Sequence, residues 1–213
     1  MMELVSSSRM AFTVIATAAF TGLRLAELRG IQWGDLEDGK LRVSRTVWRT
    51  KEGLPKTESS EGTVPVLPAL QMILDNYRQY LEGLAEEGNL EKTVKPHYWM
   101  FAGAKRGTPL NLMNLVRRTI VPLLTRCICG VPKHQHDKQD HAFELDKTTP
   151  RWLGWHAFRR SLATNLYALG VHPRFISSIL RHSDISLTLK YYIETPESES
   201  REALAKLESL LRG

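Results

Sequence analysis

Cysteine is nearly absent from this chain of 213 residues: Cys127 and Cys129 are the only two. With one residue between them they are too close for an ordinary structural staple. A reducing, cytoplasmic compartment is therefore the simpler expectation. No apolar run reaches the roughly 20 residues that cross a bilayer. The nearest, MAFTVIATAAFTGLRL, also fails as a secretory leader, because Glu3 and only Arg9 precede it where a clearly basic segment belongs. It reads as a buried helix, and no membrane partner is expected. There is no internal repeat and no low-complexity tract.

What is present is enough apolar material for a core and a surplus of positive charge. Hydrophobic residues make up 42% of the chain, and 29 Lys and Arg against 23 Asp and Glu give a net charge of +6. That balance suits a polyanionic partner but says nothing about the fold. The length fits one large domain.

The apolar pattern predicts a mainly α domain with a small antiparallel β-sheet (α+β). A first helix covers about Ser8 to Phe20, broken by Thr21-Gly22. A short second helix in LRLAELRG stops at Gly30. KLRVSRTV alternates and places Leu41, Val43, Arg45 and Val47 on one face, and GTVPVL is a second strand that Pro65 assigns to an edge. WRTKEGLPKTESSE between them reads as a polar loop. Helices follow in PALQMILDNYRQYLEGL, with Pro68 in its first turn, and in NLMNLVRRTIVPLLTR, capped by Asn111. Residues 127–150 look like an irregular insertion. HAFRRSLATNLYALG returns to helix, with Phe158, Leu162, Leu166 and Leu169 as its core stripe, and PRFISSILR is a short helix begun by Pro173. Ser183 and Asp184 can cap a helix from Ile185, and a last amphipathic helix spans about Pro196 to Leu211.

Three short stretches carry candidate chemistry. In HAFRR, His156 and Arg159 are three residues apart and share a helix face, near the margin of the buried side. In TGLRLAEL, Arg24 stands at a helix start and Glu27, one turn on, can hold its guanidinium. In ILRHSDISLTLKYYI, His182 precedes Tyr191 and Tyr192. One continuous helix would put His182 and Tyr191 on opposite faces, but caps at Ser183 and Asp184 allow a bend that brings the histidine and one tyrosine to a common cavity. The apolar pattern does not choose between the tyrosines.

Together, in this order, these motifs resemble the catalytic domain of tyrosine recombinases, the phage-integrase and Xer-like family, over roughly Phe12 to Leu211. The resemblance implies that family's catalytic fold, double-stranded DNA as partner, and a protein monomeric when free and tetrameric on DNA. It implies no cofactor and no catalytic metal. By the family pattern Arg24 and Arg159 clamp the scissile phosphate, His182 donates a hydrogen bond to it, and His156 helps remove the tyrosine proton. The nucleophile follows the second histidine by nine residues, which selects Tyr191. Lys56, in the hairpin turn, matches the lysine that protonates the 5′-oxygen, with Lys51 as competitor. Glu27 orients an arginine or histidine. Arg160, Arg174, Arg181 and Lys190 are expected on flanking phosphates, where contacts are sequence-independent and salt-sensitive.

The chain departs from the pattern in three places. Arg181 stands where the family commonly has glycine, a change expected to alter packing or to add a phosphate contact. The motifs begin almost at once, without the family's N-terminal clamping domain, so residues 1–213 read as a single catalytic domain: a fragment of a longer enzyme by preference, or else a minimal protein. The insertion reads as a polar surface loop. It holds Cys127, Cys129, His134, His136 and His141, and the alternative is a structural zinc site built from Cys127, Cys129, His134 and His141. His97 and His172 read as surface or capping residues.

Overall fold

The computed structural model describes residues 1–54, 62–87, 94–104 and 107–181. Lys56, His182, Lys190, Tyr191, Tyr192 and the expected helix from Pro196 lie outside the described residues.

Helix α1, Arg9–Thr21, is capped by Ser8, whose hydroxyl accepts from the Ala11 N–H at 3.3 Å. It can be buried on most sides because its threonines conceal their polar atoms. Thr13, Thr17 and Thr21 return their hydroxyls to the carbonyls of Arg9, Thr13 and Thr17, so none is left unpaired. The helix stops at Gly22, a left-handed residue with φ +60°. A Cβ there would come within 2.9 Å of Leu180 Cδ2 and 3.0 Å of Leu162 Cδ2. Gly22→Ala is therefore expected to cost about 1–3 kcal/mol, combining left-handed backbone strain with crowding. The reading would be a lower urea midpoint at unchanged slope; an unchanged midpoint would show that both leucines yield freely.

Helix α2, Leu25–Arg29, follows at once. Strands β1 (Leu36–Glu37), β2 (Lys40–Val43), β3 (Thr46–Trp48), β4 (Lys51–Gly53) and β5 (Gly62–Pro65) come next. They form two small antiparallel sheets, one in the order β1-β2-β5 and one pairing β3 with β4. KLRVSRTV is thus two strands in two sheets. The chain breaks at Ser44-Arg45, where Arg45 leaves the ladder to ion-pair with Asp35 and to donate to the Gly30 carbonyl at 3.3 Å. The stretch read as polar loop supplies β4. Pro65 does sit on an edge strand, opposite Lys40.

Helix α3, Pro68–Glu86, turns Leu70, Leu74, Tyr77 and Leu81 inward. Tyr77 meets Trp33 and Phe101 with ring centroids 6.2 and 6.0 Å away. Asn111 caps α4, Leu112–Leu115, accepting from the N–H groups of Met113 and Asn114 at 3.1 Å. A π-helical stretch, Val116–Ile120, joins it to α5, Val121–Leu124, so the predicted helix is present with one widened turn. After the insertion come α6, Trp155–Ala168, and α7, Pro173–Leu180, begun by His172, whose Nδ1 accepts from the Arg174 N–H at 3.2 Å.

Helix α1 packs between α3 and α6, and α6 packs on α7. The inward row of α6 is Trp155, Arg159 and Ala163, spaced by four; Phe158, Leu162 and Leu166 flank it half-buried, and Leu169 is 79% exposed. The expected stripe is therefore rotated by one position. Arg159 occupies its centre instead of its margin, because backbone carbonyls are there to meet the guanidinium.

Candidate active site

Three segments remote in sequence meet at the end of α1. The first is the turn after Gly22. Arg24 is the N-cap of α2, and Glu27, three residues on, reaches back so that Oε2 accepts from the Arg24 N–H at 2.9 Å. Its other oxygen takes Arg24 Nη1 at 2.7 Å. Glu27 itself is buried. Burial pushes its carboxyl up, but Arg181 and then Arg24 outweigh this and hold it below the usual range, so it is ionised.

The second segment is α6. Arg159 is 1% exposed. Its Nη1 donates to the Gly22 carbonyl at 2.8 Å and its Nη2 to the Leu180 carbonyl. One planar fork thus joins α6 to the turn that carries Arg24 and to the end of α7. His156, one helical turn earlier and exposed, lies near enough to both arginines to feel them. Partial burial, then the charges of Arg159, Arg160 and Arg24, hold its imidazole below the ordinary 6.5.

The folded state binds this proton less readily than the unfolded chain, so His156 subtracts from stability as pH falls through 6.5 and below, and it stays neutral near pH 7. An NMR titration should place the ring's midpoint under 6.5, and the exposed Arg160→Gln should move it upward. A midpoint unmoved by that substitution would contradict the electrostatic cause.

The third segment is the end of α7. Arg181 was expected at the surface on a flanking phosphate, but it is buried and donates through Nη2 to Glu27 Oε2 at 2.8 Å. Its backbone is left-handed, φ 53° and ψ 47°, a conformation that glycine adopts without strain. The arginine is held there because its side chain completes the Arg24–Glu27–Arg181 group. Gly62 lies against this side chain: a Cβ at Gly62 would stand 3.6 Å from Arg181 Cδ. Lys51 sits exposed in β4, opposite Trp48. Arg160 and Arg174 are exposed.

Arg29, not singled out in the sequence, positions this neighbourhood. Its Nε, Nη1 and Nη2 donate to the carbonyls of Leu110, Val47 and Arg49 at 3.0, 3.2 and 2.7 Å, tying α2 to the β3–β4 hairpin. Nothing in its LRG context marks it; only the tertiary placement of three carbonyls does.

The insertion is ordered by side chains of another kind. Cys127, Cys129, His136 and His141 gather with all four ligand atoms within 4.8 Å of one another. The expected His134 is not among them: it is exposed, with its Nε2 3.1 Å from Gln135 Nε2. Burial pushes the Cys127 thiol up, but N–H groups of Cys129 and Glu144 and the side chains of His141 and Cys129 bring it down to about 6.

Chemically, the site at the end of α1 is a cationic cluster with a neutral imidazole beside it. It can hold one phosphate-like oxyanion and accept a proton next to it. Comparison with known proteins agrees with the class this defines. The profile of the phage integrase family matches residues 5–198, and the chain belongs to that family. It is 28% identical over 206 residues to a XerC-like tyrosine recombinase of Caldanaerobacter subterraneus subsp. tengcongensis, covering 89% of this chain and 47% of that protein. It is 26% identical over 179 residues to the transposase of transposon Tn916 from Enterococcus faecalis, covering 81% and 39%. The chain thus spans under half the length of these two relatives. Among solved structures, the Tn1549 transposon integrase in complex with circular intermediate DNA superposes with a TM-score of 0.69 at 20% identity, over 97% of this chain and 63% of that one. XerA recombinase gives 0.59 at 18%, over 96% and 60%. These likenesses show a shared fold. Among the described residues, no helix is long and apolar enough to cross a membrane.

Proposed function

We propose that this chain is the catalytic domain of a site-specific recombinase of a mobile element, one that cleaves and rejoins double-stranded DNA through a 3′-phosphotyrosyl link. The observation that carries this reading is the meeting of Arg24, His156 and Arg159, from segments more than a hundred residues apart, around one fork anchored at Gly22. Family membership and the similarity to a transposon transposase support it.

In the proposed reaction the Tyr191 hydroxyl attacks a phosphodiester. A new oxygen–phosphorus bond forms to the 3′-phosphate and the bond to the 5′-oxygen breaks. A phenol with a pKa of about 10 is a poor nucleophile until cations and a base surround it. Arg24 and Arg159 neutralise the non-bridging oxygens as charge builds. His156, kept neutral, receives the phenol proton, Lys56 delivers one to the departing 5′-oxygen, and His182 donates to the phosphate. The bond energy stays in the phosphotyrosyl ester, so the return step needs no ATP. Exchange between two duplexes requires paired sites, hence a tetramer on DNA.

A nicked duplex carrying the cognate site tests this, because loss of the cut end traps the intermediate. The expected result is a covalent protein–DNA adduct whose peptide maps to Tyr191. An adduct on Tyr192 would shift the nucleophile by one residue. Relaxation of supercoiled DNA without exchange between duplexes would favour a type IB topoisomerase. DNA binding with no adduct would leave a non-catalytic DNA-binding module.

A further inference from the structure

The insertion carries a second site, independent of the recombinase reading. Around a tetrahedral zinc ion, with bonds of about 2.3 Å to sulfur and about 2.0–2.1 Å to nitrogen, ligand atoms stand about 3.3–3.8 Å apart. Here His136 Nε2 lies 3.3 Å from His141 Nε2, and Cys127 Sγ lies 3.5 Å from the same His141 Nε2. A ring nitrogen offers either one N–H or one lone pair, so hydrogen bonding satisfies only one of those two neighbours. Convergence on a common centre satisfies both. The two imidazoles meet edge to face, 4.8 Å apart at 89°, and the ligand atoms of all four side chains lie within 4.8 Å of one another.

The backbone is arranged to hold this geometry. The Gly130 N–H donates to the Cys127 carbonyl at 2.8 Å, with Gly130 at φ +84°, and folds Cys127 and Cys129 into one tight turn. The Cys127 N–H donates to Val131 at 2.8 Å. The Ile128 N–H donates to the Glu144 carbonyl at 2.9 Å, and the Glu144 N–H donates back to Cys127 Sγ at 3.4 Å. Such N–H···S contacts support a metal-bound thiolate. His136 is buried against Phe143, centroids 5.3 Å apart at 87°, which fixes its ring, while the exposed Cys129 and His141 leave a path for entry. Two thiolates and two imidazoles are the donor set and number of a closed structural zinc site.

We propose that Cys127, Cys129, His136 and His141 bind one Zn²⁺ and that the ion closes the loop between α5 and α6. The excursion rejoins the body where the Asp146 N–H donates to the Arg126 carbonyl at 2.9 Å, just before the segment leading to Trp155 and α6. The ion would thus brace the helix that presents His156 and Arg159.

Protein purified without chelator or polyhistidine tag should contain one zinc per chain by mass spectrometry. Replacing the zinc with Co²⁺ should give the thiolate-to-cobalt charge-transfer absorption and intense visible bands of a tetrahedral site. His136→Gln and Cys127→Ser should lower zinc content at least tenfold, His136→Cys should keep it by supplying a third thiolate, and the surface variant His134→Gln should leave it unchanged. Far-UV circular dichroism confirms that each variant is folded. Folded wild-type protein that carries no zinc and shows no cobalt bands would overturn the proposal. So would loss of zinc in His134→Gln with retention in His136→Gln.

Discussion

Arg159→Ala is expected to slow formation of the covalent DNA adduct by about 10³-fold or more, the scale on which a phosphate-clamping arginine contributes. It should also destabilise the domain. The guanidinium is 1% exposed and bonds two backbone carbonyls, Gly22 and Leu180, on different segments. Each hydrogen bond from a charged group contributes about 1.5–3 kcal/mol, and the alanine leaves both acceptors buried. Arg159→Lys separates the two effects. Lysine keeps the positive charge, but a compact ammonium cannot span two carbonyls as a planar fork does. It should therefore recover part of the thermal midpoint and little of the adduct rate. Time courses on the nicked duplex, paired with thermal unfolding, read both quantities. A lysine variant that cleaves at the wild-type rate would show that the fork is not used on the phosphate.

This double use of Arg159 also marks where sequence reasoning reaches its limit. Local signals are legible: Asn111 as a cap, Gly22 and Gly30 as stops, Pro68 and Pro173 in first turns, and Pro65 on an edge. Each depends on backbone chemistry within a few residues. Arg24, Glu27 and His156 sit in short motifs whose spacing is local, while the roles expected of them come from the family resemblance. Arg159 was assigned to the rim of its helix because an apolar count treats a guanidinium as a surface group. The carbonyls that let it be buried come from residues 137 positions before it and 21 after it. The resemblance puts Arg181 on a flanking phosphate or in altered packing, and its carboxylate partner, 154 residues away, is not legible from the motif. The choice of His136 over His134 depended on Phe143 packing against one ring, which irregular loop spacing does not reveal. Strands β1 and β4 are short and largely polar, so alternation had nothing to register.

Glu27→Ala is the substitution expected to cost the fold most for its size, about 3–5 kcal/mol. The carboxylate stands between two guanidiniums, 2.7 Å from Arg24 Nη1 and 2.8 Å from Arg181 Nη2, and it caps α2 through the Arg24 N–H. The two pairs are not equal. Arg24 is 39% exposed at its side chain, so water screens its share to a fraction of a kcal/mol. Arg181 is 5% exposed, and among the described residues its Nε and Nη1 are buried without a hydrogen-bond partner. Removing Glu27 strips that buried charge of its carboxylate partner, which is the large term. It follows that Arg181→Gly in the Glu27→Ala background should recover much of the loss, since it removes the stranded charge and relieves a left-handed residue at φ 53°. The double-mutant cycle should therefore be strongly non-additive. Acid should mimic the single change. Because the folded carboxyl sits below its ordinary 4.5, its contribution is complete above that value and is lost as pH falls through the folded pKa. The adduct rate should fall in Glu27→Ala as well, Arg24 having lost its tether. Additive unfolding energies, or a Glu27→Ala cost under about 1 kcal/mol, the scale of an exposed pair, would mean that the three charges act as separate surface groups.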